Sequence, residues 1–208
     1  MKKLTLAIFL LLIGIGSFAQ RFEGGLAGGL NFTQLDGDLL SGYNKLGLHG
    51  GFWVQYPFND NWSGGLEFIY TQKGASRSIN EENIASTRTF DRFRLNYFEV
   101  PLYAAYTYKK FTFQGGITGG YLLSANIEDF TGKRDYKNLL KPFETGILFG
   151  VSYPISKELS AQLRYQYSIV SIAKGDNNNI LIDNSLSNII LGLYNNLFSL
   201  TLKYKWED

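Results

Sequence analysis

From Phe22 to Trp206 the chain repeats one pattern: apolar and aromatic side chains at every second position, over segments of about ten residues, against a face of glycine, amides and charge. A period of two is the period of a β-strand. Eight such segments can be read, near 22–32, 46–56, 62–73, 97–106, 111–121, 143–153, 159–168 and 198–206. In the third, Trp62, Leu66, Phe68 and Tyr70 oppose Ser63, Gly65, Glu67, Thr71 and Lys73. In the seventh, Leu159, Ala161, Leu163, Tyr165 and Tyr167 oppose Ser160, Gln162, Arg164, Gln166 and Ser168. Short turns at 57–61, 107–110 and 154–158 alternate with long polar stretches at 34–45, 74–92, 123–142 and 169–195.

Short turns at one end and long loops at the other mark a transmembrane β-barrel, whose tilted strands need 9–11 residues to cross a bilayer. The cost of charge decides which face meets lipid. A charge on the lipid side at mid-bilayer costs about 2–4 kcal/mol, so Glu67, Glu99 and Arg164 must point inward. An open sheet edge in hydrocarbon leaves backbone groups unpaired, so the last strand must close on the first. The expected fold is all-β: an eight-stranded antiparallel up-and-down transmembrane β-barrel. A soluble eight-stranded carrier, lipocalin-like, is the structural competitor. It would put the apolar face inside, whereas here the charged face is also the glycine-rich one, which suits a crowded lumen.

Composition supports this reading. Aromatic residues reach 16% and glycines number 23, while charged residues are only 18%. The net charge of +2 argues against nucleic acid as a partner. The opening "MKKLTLAIFLLLIGIGSFAQ" has two lysines, an apolar run too short for a membrane helix, and Ser17-Phe18-Ala19 before the break. It is expected to be a signal peptide over 1–19, leaving 20–208 as the barrel domain.

An eight-stranded barrel is just wide enough inside for side chains to fill it. Counting residues from each short turn places Glu67, Glu99 and Arg164 near one level, with Glu144 on the same inward face. A buried Arg164–carboxylate cluster is expected, because pairing makes such charges tolerable. Strands one and eight meet on closure, so Glu23 and Lys203 are expected to form a closure pair. Trp62, Tyr70, Tyr121, Tyr153, Tyr204 and Trp206 lie near the ends of the apolar face and are expected to form aromatic girdles.

Little in the sequence points to catalysis. The chain has one histidine, His49, on the inward face, and no cysteine. A hydrolase or acyltransferase needs a nucleophile and a base in reach of each other, and no serine carries a distinctive motif. "DGD" at 36–38 and "GDNNN" at 175–179 are oxygen-rich, but neither has the twelve-residue layout of a calcium hand. Both read as turns. No cofactor and no metal are expected.

"LNYFEVPLYAAYTYKKFTFQGGITGGYLLSA" (95–125), "FETGILFGVSYPISKELSAQLRYQYSI" (143–169) and "GGLAGGLNFTQLDGD" (24–38) together resemble the PorT-like outer-membrane β-barrel proteins across the whole mature chain. Glu144 stands where that family commonly has Asp, and two acids follow the terminal aromatic Trp206. The resemblance implies a Gram-negative outer-membrane barrel, with Trp206 as the signal read by the barrel-assembly machinery. It implies no substrate. The expected role is structural or surface interaction through four long loops, in a monomer surrounded by outer-membrane lipids and lipopolysaccharide. The alternatives are a narrow porin-like channel and a lipid-modifying outer-membrane enzyme.

Overall fold

A computed structural model describes residues 22–37, 42–76, 92–129, 132–174 and 192–207. The expected signal peptide, the 175–179 stretch and most of the long loop at 74–92 lie outside these residues. Among the described residues there are nine strands: β1 (Glu23–Asp36), β2 (Lys45–Pro57), β3 (Trp62–Ser76), β4 (Arg92–Tyr108), β5 (Phe111–Asp129), β6 (Gly132–Asp135), β7 (Phe143–Pro154), β8 (Leu159–Ser168) and β9 (Tyr194–Lys205). Eight of them form the barrel, and β6 only folds back on the end of β5. The eight run antiparallel in the order β4-β3-β2-β1-β9-β8-β7-β5, and pairing of β4 with β5 closes the ring.

The seam joins the first strand to the last, from Gly25↔Lys205 to Asp36↔Tyr194. The polarity is that of a membrane barrel. Leu26, Leu48, Phe52, Leu102, Phe113, Ile117, Phe149, Leu163 and Leu200 are all exposed, while Glu67, Glu99, Glu144 and Arg164 are buried. Trp62, Tyr70, Tyr121, Tyr153, Tyr204 and Trp206 are each exposed as well. Several of the outward aromatics touch across strands, such as Trp62 with Tyr106 and Tyr121 with Phe143.

Except for β8, which has 10 residues, the barrel strands are longer than the ten-residue reading. β4 has 17 residues and β5 has 19, because their pairing runs on beyond Phe98↔Tyr121 to Arg92↔Glu128. Much of 123–142, read as loop, is therefore strand. The extension hides behind a bulge: Asn96 pairs with Ser124 but Tyr97 pairs with Leu122, leaving Leu123 extra on β5. Past it the inward side switches parity, from Leu122 to Ala125.

At the loop end the inward side chains are apolar. Leu35, Ala75, Phe93, Leu95, Leu122, Ile127, Leu140, Ile172 and Leu193 form one buried cluster. The 3-10 turn Lys137–Leu139 and the segment around Ile172 fold inward to complete it, through Lys141 N–H donating to the Ile172 carbonyl at 2.7 Å and the Leu140↔Ala173 bridge. The barrel's mouth at that end is thus closed by a small hydrophobic core.

Candidate functional site: a charge-filled lumen

Below the apolar cap the lumen is lined by polar side chains in two tiers. The tier nearer the short turns centres on Glu67 of β3. Arg164 of β8 donates to both its oxygens, each at 2.8 Å, and Lys203 of β9 donates to Oε1 at 2.9 Å. The two cations are also packed on aromatic faces: Lys203 lies 4.8 Å from the Trp53 ring centre, and Arg164 5.6 Å from that of Tyr103. Gln114, Gln162 and Ser152 form a hydrogen-bonded belt beside them.

The tier nearer the loops centres on Lys73, also of β3 and fully buried. Its Nζ donates to Glu99 at 2.5 Å and to Glu144 at 2.9 Å. Gln166 donates to Glu99, and Ser168 and Asn195 donate to Glu144.

The structure therefore divides the expected cluster. Arg164 meets Glu67, but Glu99 and Glu144 are held by Lys73 and not by Arg164. Counting residues above a turn measures distance along a tilted strand. The stagger of neighbouring strands shifts the true level, so Glu99 rises to the upper tier. The expected Glu23–Lys203 pair is not formed. In the seam register Lys203 faces Ala27 and Lys205 faces Gly25, so Lys205 reaches Glu23, at 2.7 Å, and Lys203 points up to Glu67. The Glu23–Lys205 pair is about one-third exposed on each side. Such pairs contribute about 0–1 kcal/mol. Lys205→Ala is accordingly expected to leave urea unfolding of the barrel within about 1 kcal/mol of wild type.

Sequence reasoning placed Lys73 on the inward face but gave it no partner. The signal was present: three inward carboxylates stood against one assigned arginine. His49 is half-buried, its Nε2 2.9 Å from the Thr201 hydroxyl. Its Nδ1 is buried without a partner among the described residues, none of which therefore orients the ring as a hydroxyl–imidazole dyad requires. The space at this level is about 20 Å³, room for about one water molecule. A vestibule of about 210 Å³ opens at the short-turn end, lined by Lys109, Lys110, Lys157 and Lys205 among others. Among the described residues, no group of three or more acidic or histidine side chains is arranged to hold a metal ion.

An oily outer band, a closed seam and a neutralised lumen are the marks of an outer-membrane barrel, and residues 18–174 match the family model described as outer membrane protein beta-barrel domain. The chain belongs to that family. Solved structures with a similar fold include Ail, the attachment invasion locus protein of Yersinia pestis, at 15% identity, covering 88% of this chain and 98% of Ail, with a TM-score of 0.50. Neisserial surface protein A is similar at 14% identity, covering 89% of this chain and 96% of that one, also with a TM-score of 0.50. At these identities the likeness is one of fold. No curated protein matches the chain in sequence. Membership of the outer-membrane barrel family places the apolar band of this chain in the outer membrane. It also explains why no helix among the described residues is long and apolar enough to cross a bilayer: this protein crosses with strands.

Proposed function

We propose that this outer-membrane barrel is a non-conducting, non-enzymatic surface protein that acts through its long loops, its lumen serving as a structural plug. The observation that carries the reading is the sealed interior: two ion-paired tiers, about 20 Å³ of free space between them, and an apolar cap above. In this reading residues 1–19 are a removed signal peptide, the short turns and both ends of the mature chain face the periplasm, and the chain is a PorT-like member of its family. It folds with the barrel-assembly machinery, which reads Trp206. It works as a monomer among outer-membrane lipids and lipopolysaccharide, which the mixed-charge loops at 77–94 and 127–140 contact along with a surface partner. The same tight middle disfavours the channel and enzyme readings, since among the described residues about 20 Å³ of free space lies between the two tiers, too little for a solute or a lipid ester to pass.

Two measurements test it. In planar bilayers the purified barrel is expected to leave the baseline current unchanged, and reproducible single-channel steps would overturn the plug. In pull-downs from intact outer membranes, deletion of 77–91 or of 130–136 is expected to abolish capture of bound material. Capture that survives both deletions removes the loop role.

A further inference from the structure

Strands β2 and β3 are neighbours for only part of their length. Their pairing stops at His49↔Thr71, although β2 begins at Lys45 and β3 continues to Ser76. The gap is built and not frayed. Asn31 of β1 donates to the Gln72 carbonyl at 3.1 Å, and Thr33 donates to the Gly74 carbonyl at 2.7 Å. These β3 carbonyls would otherwise have faced β2. In turn the Gln72 side chain accepts the Leu48 N–H at 3.1 Å. Gly47 permits the crossing: a Cβ there would stand 2.3 Å from the Gln72 carbonyl oxygen. So β3 leans inward across β1, its separated edge keeps its hydrogen bonds, and a notch is left in the barrel wall at the loop end.

That notch holds a cavity of about 360 Å³ lined by Lys45, Leu46, Gln72, Arg92, Arg94 and Lys133, among others. Its chemistry is lopsided. Lys45 is only 6% exposed, yet its ammonium group has no hydrogen bond or ion pair among the described residues. Arg92 and Arg94 share one carboxylate, Glu128, at 3.8 and 3.0 Å. A buried unpaired cation is costly, and here it faces further cations across an open cavity. The β2 wall is apolar, with Leu46 and Leu48 well exposed. On β3, β4 and β5 the outward face turns polar one step beyond the aromatic row Tyr70–Phe98–Tyr121, at Gln72, Asn96 and Ser124, with Arg94 and Asn126 beyond them. Such a change from aromatic to polar marks the membrane interface.

We propose that this notch binds the phosphorylated headgroup of an outer-leaflet lipid, its phosphate on Lys45, Arg92 and Arg94 and the start of an acyl chain along Leu46 and Leu48. A phosphate supplies the counter-charge that no described residue gives Lys45 and accepts several charge-assisted hydrogen bonds at once. The inference rests on the outer-membrane placement and not on the loop reading, because the phosphate-binding groups Lys45, Arg92 and Arg94 lie on β2 and β4, outside the deletions 77–91 and 130–136.

The test uses the full mature barrel refolded in dodecylmaltoside and native mass spectrometry of retained lipid. The probes are bisphosphorylated lipid A, the same lipid with its phosphates removed, and inorganic phosphate as competitor. Retention of the phosphorylated lipid is expected, with at least about tenfold less in Lys45→Gln/Arg94→Gln. Lys109→Gln/Lys110→Gln at the opposite end is expected to retain it fully. Should the buried substitution prevent folding, Arg94→Gln/Lys133→Gln, on exposed side chains, reads the same loss in a folded barrel. Equal retention of the dephosphorylated lipid, undiminished retention by the notch variants, or full displacement by an equal concentration of inorganic phosphate overturns the proposal. Intact lipid retention with failed loop-dependent capture refutes the loop reading alone, and the reverse refutes only the notch.

Discussion

Lys73→Met is expected to cost the folded barrel about 3–5 kcal/mol, the range for removing one partner of a buried ion pair and leaving its counter-charge stranded. Here the loss strands two carboxylates, Glu99 and Glu144, both buried in the upper tier. The three tryptophans, Trp53, Trp62 and Trp206, provide a fluorescence signal for urea unfolding in phospholipid vesicles. The triple change Lys73→Met, Glu99→Gln and Glu144→Gln removes all the charge from this tier and keeps its shape. It is expected to recover most of the lost stability, because exchanging a buried ion pair for uncharged groups of similar volume is often neutral. If Lys73→Met alone unfolds at the wild-type urea concentration, the upper tier does not contribute to stability.

The second large effect concerns the seam. Gly28 and Gly29 are adjacent on β1 and point to opposite sides of the wall. A Cβ on Gly29 would lie 2.0 Å from the Leu200 carbonyl oxygen and 2.9 Å from the His49 ring, whereas one on Gly28 would meet nothing nearer than 3.8 Å. Overpacking a core typically costs about 1–3 kcal/mol when side chains can move aside. At Gly29 the obstacle is the backbone of the partner strand, so Gly29→Val is expected to cost more than that and to prevent β1 from closing on β9. Gly28→Val, facing lipid, is expected to fold as wild type does. The check is the fraction of each variant that migrates as folded barrel in unheated gels after refolding into detergent. Equal folded yields for the two variants would falsify the claim that β1 and β9 approach this closely.

The difference between these two glycines also shows what was legible beforehand. Within the eight segments read as strands, which face each residue takes was plain from the sequence, because hydrocarbon on one side and a crowded polar space on the other act on every strand alike. Eight strands, their order around the ring and the inward course of Glu67, Glu99, Glu144 and Arg164 followed from that one asymmetry. Partner choice inside the lumen did not. It depends on stagger, which moved Glu99 up to Lys73 and gave Glu23 to Lys205 in place of Lys203. The bulge at Leu123 was hidden too, since a single extra residue reverses the alternation on which the reading depends. The notch between β2 and β3 was least visible. Its sequence trace is only Gly47 and Gly74, with Asn31 and Thr33 reaching across from β1.

The two lumen tiers are not individually neutral. The lower has two cations, Arg164 and Lys203, for one carboxylate, and the upper has two carboxylates for one cation, Lys73. Stacked along the axis, they form a bipolar junction. An anion entering from the short-turn vestibule is drawn to the first layer and repelled by the second, and a cation arriving from the loop end meets the same sequence with signs reversed. A mutation that widened the passage would therefore still leave an electrostatic barrier to ions of either sign.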